Sequence, residues 1–295
     1  MRVNPNPYPD LIAAVAQTQQ QINSDEQQIA TGQSVNVPSD NPAAAAVLVQ
    51  NANQTFQADQ YQRSIGSIQG EIQNADSALN SVTTALQQAI TLGVEGANGT
   101  VNSADRQAIA TQVQGIQNEL LGLANLTYQG NYVFAGTATQ TTPYVLDPSS
   151  TSGVTYAGNS GVNRITLGNQ FSLQTNLPGV QLFSASGTDM FQSIQDLITG
   201  LESGTGIGSA VTELGNSLNS IDTQRVFYGN ALNQLNTQQT YLSSETTQLA
   251  QQQNTVGGAN LPAVISNLTT SQTSLQATLE SIGQTAQIDL FDYLK

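Results

Sequence analysis

Any chemistry in this chain would fall to carboxylates and hydroxyls. There is no His and no Cys, and the single Lys is the last residue, Lys295. Without His there is no Ser–His–Asp hydrolysis and no helical His pair for zinc. Without Cys there is no thiolate nucleophile, thiolate metal site or disulfide framework. Without an internal Lys there is no phosphate-cradling lysine, Ser-x-x-Lys pair or Schiff base. Two carboxylates could in principle work as a glycosidase pair, but the acids here mostly stand singly on expected helix surfaces, where solvation explains them. Gly204-Thr205-Gly206-Ile207-Gly208 has the composition of a phosphate loop. It follows a helical pattern and not a strand, so it reads as an inter-helix turn. The Asn-x-Thr strings at Asn53, Asn98, Asn125 and Asn267 fall mostly on helical patterns and read as chance matches. No catalytic, cofactor-binding or metal-ligating residue is expected.

The charge pattern narrows the partners. Charged residues are 9% of the chain and hydrophobic ones 38%, against about 25% charged in an average soluble protein. Polarity comes from Gln, Asn, Ser and Thr instead. Such a surface can pack against copies of itself without desolvating many charges. The net charge is −14, and the basic residues Arg2, Arg63, Arg106, Arg164, Arg225 and Lys295 are scattered. No basic patch is available for nucleic acid or for an anionic membrane. Residues 1–30 have no leader-like apolar core, and no apolar run reaches the roughly 18 residues of a membrane span.

The elements that would position anything are helices with coiled-coil spacing. Tyr8, Ile12, Val15, Gln19, Ile22, Glu26 and Ile29 alternate steps of four and three, an a/d seam. Prolines 5, 7 and 9 predict that this helix starts at about Asp10, and Thr31-Gly32 ends it. A loop, Gln33–Asp40, follows. Asn41-Pro42 reads as an N-cap with proline at the first helical position. The next seam is Tyr61, Ile65, Ile68, Ile72, Ala75, Leu79, Val82, Leu86 and Ala89. It predicts one helix from about Pro42 to Leu92, about 75 Å long at 1.5 Å per residue, with Gly93, Gly96 and Asn98-Gly99 as breaks. Ser103 is a candidate cap for a third helix, 103–127, with seam Ile109, Val113, Ile116, Leu120 and Leu123. Residues 132–188 then turn β-rich in short runs: Tyr132–Phe134, Val154–Tyr156, Arg164–Leu167, Phe171–Leu173 and Val180–Phe183. Helical spacing resumes at Met190–Leu201. The longest seam runs from Ile207 through Leu214, Ile221, Tyr228, Leu235, Leu242 and Leu249 to Val256. Gly257-Gly258 ends it. Pro262 opens the last helix, with seam Leu261, Ile265, Leu268, Gln272, Leu275, Leu279, Ile282 and Ala286.

These elements nest. Terminal helices 1–31 and 261–294 enclose long inner helices, which enclose the β runs. The expected fold is mainly α with a small β insertion: an elongated rod of long antiparallel coiled-coil-like helices with both termini at one end. Residues 1–41 and 257–295 form one domain, 42–136 and 189–256 a helical rod, and 137–188 a small β-rich outer domain. Core packing accounts for the inner seams. The terminal helices, set apart by Gly and Pro, carry more apolar surface than they can leave exposed. They are expected to bury it against other subunits.

Particular strings in this nested plan resemble a known family. Ala30-Thr31-Gly32-Gln33-Ser34-Val35-Asn36-Val37-Pro38-Ser39-Asp40-Asn41-Pro42-Ala43-Ala44 is similar to the N-terminal loop of the hook-associated protein 3 family, within the flagellin superfamily. So are Leu120-Leu121-Gly122-Leu123-Ala124-Asn125 before Tyr132-Val133-Phe134-Ala135-Gly136, the string Tyr156-Ala157-Gly158-Asn159, and the final Leu290-Phe291-Asp292-Tyr293-Leu294. The resemblance implies a structural, non-enzymatic component of the bacterial flagellum, exported unfolded by the flagellar type III apparatus without a cleaved signal peptide. It implies self-assembly into a ring at the junction of hook and filament, and an inner coiled-coil tube of terminal helices. Its implied partners are the other hook-associated junction protein, flagellin and a flagellar export chaperone. The candidate assembly residues are Ile12, Val15, Ile22, Ile29, Pro38, Pro42, Leu268, Leu275, Leu279 and Ile282.

Three other readings compete. A filament flagellin typically has no prolines in the first loop. A flagellin carrying a metallopeptidase needs His ligands that this chain lacks. An injectisome tip or translocator protein is not expected to carry the Phe-Ala-Gly and Leu-Phe-Asp-Tyr-Leu strings.

Overall fold

Helical propensity and apolar spacing agree along most of the chain, and the helices they predict form. The computed structural model describes residues 8–167, 171–185 and 187–293. The first helix, α1 (Tyr8–Thr31), is already helical at Tyr8 and not from about Asp10. Pro9 falls in the first turn, where a missing N–H costs nothing, and Asp10 faces the positive end of the helix dipole. Gly32, at φ +69°, takes the left-handed conformation that ends the helix. Asn41 caps α2 (Pro42–Gly96): the Ala44 N–H donates to its Oδ1 at 3.1 Å. This helix continues past Leu92. Gly93 and Gly96 do not break it, and they stand where a side chain has no room. A Cβ at Gly93 would collide with Val211 and Leu197, and one at Gly96 with Leu201.

Asn102, and not Ser103, caps α3 (Ser103–Ala124), accepting at Oδ1 from the Asp105 N–H at 2.9 Å. That helix stops short of residue 127 because β1 (Thr127–Tyr128) folds back on β2 (Asn131–Tyr132). The hairpin turns through Gln129 and Gly130, both at positive φ. Three more antiparallel hairpins follow: β3 (Tyr144–Leu146) with β4 (Val154–Tyr156), β5 (Arg164–Leu167) with β6 (Phe171–Gln174), and β7 (Ser184–Ala185) with β8 (Thr188–Asp189). Two expected strands are corrected. Val133 and Phe134 lie beyond β2 in a turn. Val180–Phe183 is the body of a short helix, α4 (Gly179–Phe183), opened by Pro178, that buries Leu182 and Phe183. The remaining helices are α5 (Met190–Ser203), α6 (Ile207–Gly257) and α7 (Leu261–Tyr293). Gly204 and Gly206, both at positive φ, make the turn into α6.

The chain divides into two compact units: Met1–Ala58 with Ser243–Lys295, and Asp59–Leu242. In the second unit the core forms along the predicted seams. Ile65, Ile72, Leu79, Val82 and Leu86 of α2 are sealed from solvent, as are Leu214, Ile221 and Leu235 of α6. The two helices run antiparallel. Gln69 Nε2 donates to Asn236 Oδ1 at 2.8 Å, Arg225 Nε to Asp76 Oδ1 at 3.1 Å, and Thr83 Oγ1 to Asp222 Oδ1 at 3.3 Å.

Candidate functional site

In the first unit, α1 and α7 are extensively in contact. The Ala259 N–H donates to Gly32 O at 2.9 Å, so the end of α1 meets the start of α7. From that corner the two helices lie side by side and antiparallel. Their solvent exposure shows which faces meet. On α1 the covered positions are Leu11, Val15, Thr18, Ile22, Asp25 and Ile29, with Gln28 beside the last. On α7 they are Val264, Leu268, Ser271, Leu275, Thr278 and Ile282. Both stripes step by four and three, so each helix does present a seam. It is not quite the one that apolar residues mark in the sequence. Val15, Ile22, Ile29, Leu268, Leu275 and Ile282 are on it. Gln19, Glu26 and Gln272 are not. Nor are Ile12, Leu261, Ile265 and Leu279, at 58%, 41%, 51% and 52% exposure. Thr18, Asp25, Ser271 and Thr278 take the places that apolar side chains would fill. The side chains of Tyr8 and Ala286 and those of the Leu290–Leu294 string lie outside the described residues.

The terminal pair therefore has a partly polar seam and a second, uncovered apolar stripe on its flank. Asp25 shows the cost of the first. It is 2% exposed, and Gln21 Nε2 donates to its Oδ1 at 2.9 Å, while Oδ2 has no partner. A buried oxygen left unpaired costs about 1–3 kcal/mol. Apolar spacing alone gives no sign that an acid occupies this seam.

The corner beside the pair is tightly bonded. Asp40 Oδ2 accepts from the N–H groups of Asn36 and Val37, at 2.9 and 3.0 Å, and the Asp40 N–H donates to Val37 O. Ser34 donates to Gly257 O through both its N–H, at 2.7 Å, and its hydroxyl, at 3.1 Å. Val35 is buried beneath, while Pro38 and Pro42 are exposed. The loop is held by Asp40 and by the α6–α7 turn as much as by its prolines. The four-residue spacing from Asn36 to Asp40 is the signal that could have found this, since a short acidic side chain readily bonds nearby backbone N–H groups.

In the second unit, two of the quoted strings fold onto each other. Asn159 donates from its N–H to Ala135 O, and its Oδ1 accepts from the N–H groups of Thr137 and Gly161. The Tyr156 hydroxyl lies within donating range of Phe134 O and Asn159 O, at 3.0 and 2.9 Å. Gly136, at φ +72°, leaves no room for a Cβ against Asn159. Phe-Ala-Gly and Tyr-Ala-Gly-Asn are thus two halves of one knot. Beside it, Tyr144, Phe183 and Phe191 pack ring to ring. Burial pushes the Tyr144 and Tyr228 hydroxyls well above the ordinary phenol range, so neither serves as an acid or base near neutrality. Among the described residues no group of three or more acids could hold a metal, and no helix is long and apolar enough to cross a membrane.

The chain is similar to known proteins in sequence and in fold. The family model for the bacterial flagellin N-terminal helical region matches residues 7–139. Flagellar hook-associated protein 3 of Escherichia coli is 30% identical over 290 residues, spanning 91% of this chain and 92% of that one. A flagellin of Listeria monocytogenes is 23% identical over 214 residues, 68% and 73% of the two chains. Among solved structures, flagellar hook associated protein-3 of Legionella pneumophila superposes with a TM-score of 0.64 at 14% identity, over 72% of this chain and 98% of that one. The fold is that of the flagellin superfamily of bacterial flagellar proteins. Within it the chain belongs to the hook-associated protein 3 family, whose members are structural and non-catalytic.

Proposed function

We propose that this protein forms the junction layer between hook and filament on which flagellin polymerises. The observation that carries the assembly role is the second apolar stripe of the terminal pair: Ile12, Leu261, Ile265 and Leu279 face away from the seam that α1 and α7 share. Large apolar side chains aligned on one flank are suited to burial against further helices. The terminal helices of neighbouring copies would supply those helices, building a ring with an inner coiled-coil tube. In this reading 1–41 and 257–295 are the assembly domain, 42–136 and 189–256 the rod, and 137–188 the outer domain. Val15, Ile22, Ile29, Leu268, Leu275 and Ile282 hold the pair together, while Ile12 and Leu279 reach outward. Pro38 and Pro42, with the Asp40 clamp, set how the chain leaves the tube.

Layers above and below would be flagellin and the other hook-associated junction protein. Export would run unfolded through the flagellar type III apparatus with an export chaperone and no cleaved signal. Support for junction over filament comes from the greater identity and span of the match to hook-associated protein 3 than to flagellin, and from the Pro38-Ser39-Asp40-Asn41-Pro42 loop. Deleting the gene should leave hooks intact and shed flagellin into the medium. Full-length filaments on the hooks of that strain would contradict the junction role. The flagellin match keeps a filament subunit as the second reading. Growth of micrometre-long filaments from the purified protein alone would favour it.

A further inference from the structure

We infer that Asn98 is a site of spontaneous modification, its side-chain amide being converted through a cyclic imide with Gly99 to aspartate and isoaspartate. Asn98-Gly99 is the only Asn-Gly pair in the chain. It lies in the exposed turn between α2 and α3. The Thr100 N–H donates to Asn98 Oδ1 at 3.2 Å, and Thr100 Oγ1 donates to the same oxygen at 3.0 Å. These two donors hold the side-chain carbonyl over the following peptide and draw electron density from Cγ, as an oxyanion hole does. The Val101 N–H closes the turn by donating to Asn98 O at 3.0 Å. The Gly99 N–H donates to nothing among the described residues, so the nitrogen that must attack is free. Glycine, with no Cβ, offers no side-chain obstacle to its approach.

The step needs only water. The Gly99 nitrogen gives its proton to solvent base and forms a bond to Asn98 Cγ, with negative charge gathering on Oδ1. The bond from Cγ to the amide nitrogen breaks and ammonia leaves. Water then opens the five-membered imide at one of two carbonyls. Attack at Cγ restores the peptide with aspartate at 98. Attack at the main-chain carbon leaves the peptide running through Cγ, an isoaspartate.

The other asparagines of the same sequence type are held away from this route. Asn53 and Asn267 are inside helices, where the next N–H is committed to the helical ladder. Asn125 is pinned at both ends of its amide by the Tyr144 backbone. Conversion at 98 places a negative charge ahead of the positive end of α3, beside Val101, whose carbonyl accepts from Arg106 Nη1 at 2.7 Å. The isoaspartate form also lengthens the main chain and breaks the turn bond from Val101.

The test is incubation of the full-length protein in mildly alkaline buffer. Fragmentation mass spectrometry then follows the tryptic peptide bounded by Arg63 and Arg106. The expected result is amide-to-acid conversion at Asn98, in two isomers, ahead of Asn74, Asn80 and Asn102 in the same peptide. Gly99→Ala should lose that conversion while keeping the circular dichroism of the parent, since a Cβ there meets no atom within 4 Å. Thr100→Val, which removes one of the two donors, should slow it. An unmodified Asn98 while its neighbours convert, equal conversion in Gly99→Ala, or an asparagine-linked glycan at 98 in protein from its native cells would each overturn the proposal.

Discussion

Two antiparallel helix pairs in this chain carry the same kind of sequence signal and use it differently. In the Asp59–Leu242 unit, α2 and α6 place nearly every apolar seam residue inside, with Ile65, Ile72, Leu79, Leu86 and Leu214 shut off from solvent. In the terminal pair, α1 and α7 put only every second seam residue inside. The inner face is completed by Leu11 and Val264 and by the polar Thr18, Asp25, Ser271 and Thr278. Where neighbouring helices cover the whole seam, period and burial coincide. Where they separate, apolar residues stay exposed on the outer flank of the pair.

The largest effect should come from breaking the inner pair. Leu79→Asp places an unpaired carboxylate in a sealed site and should cost about 5 kcal/mol. Denaturant unfolding should show the loss in the Asp59–Leu242 unit. Next is the corner. Asp40→Ala strips the acceptor from two backbone N–H groups and should cost about 1–2 kcal/mol locally. Amide exchange should rise across Asn36, Val37 and the turn at Gly257, leaving Leu79 and its neighbours protected.

The terminal seam should respond in the opposite sense. Asp25→Leu removes a buried carboxylate oxygen that has no partner and adds an apolar contact. It should strengthen the α1–α7 pair by about 1 kcal/mol, read as slower exchange in both helices. Faster exchange would mean that Asp25 has a role in holding the pair. The smallest effect is expected at Glu71, whose carboxyl burial pushes above its ordinary range. Folding favours its protonated form, so the penalty is absent in acid and grows as pH rises through the carboxylate range. Glu71→Gln should therefore stabilise the protein slightly near neutrality and not in acid.

The inner core was legible because its apolar period matches its burial. The Asn41-Pro42 start of α2, the seam of α6 and the turn at Gly204–Gly206 could each be placed from residue type. Other features depend on contacts that no local window contains. Val180–Phe183 is a four-residue run with three apolar side chains that period alone cannot assign to helix or strand. Burial of Leu182 and Phe183 beside Tyr144 decides it. Gly93 and Gly96 read as breakers, yet they are where Leu197, Val211 and Leu201 approach α2. In the terminal helices the spacing showed that a seam exists. It could not say which flank turns inward, because apolar residues occupy both.

Leu279→Asp puts a charge on the uncovered stripe itself. Leu279 is half exposed and off the α1–α7 seam, so the substitution should change monomer stability by no more than about 0.5 kcal/mol. If the uncovered stripe is an assembly surface, the variant should be exported and folded, yet fail to support filament growth, with flagellin shed into the medium. Leu279→Ala should be milder. Normal motility and full-length filaments with the aspartate in place would contradict the account.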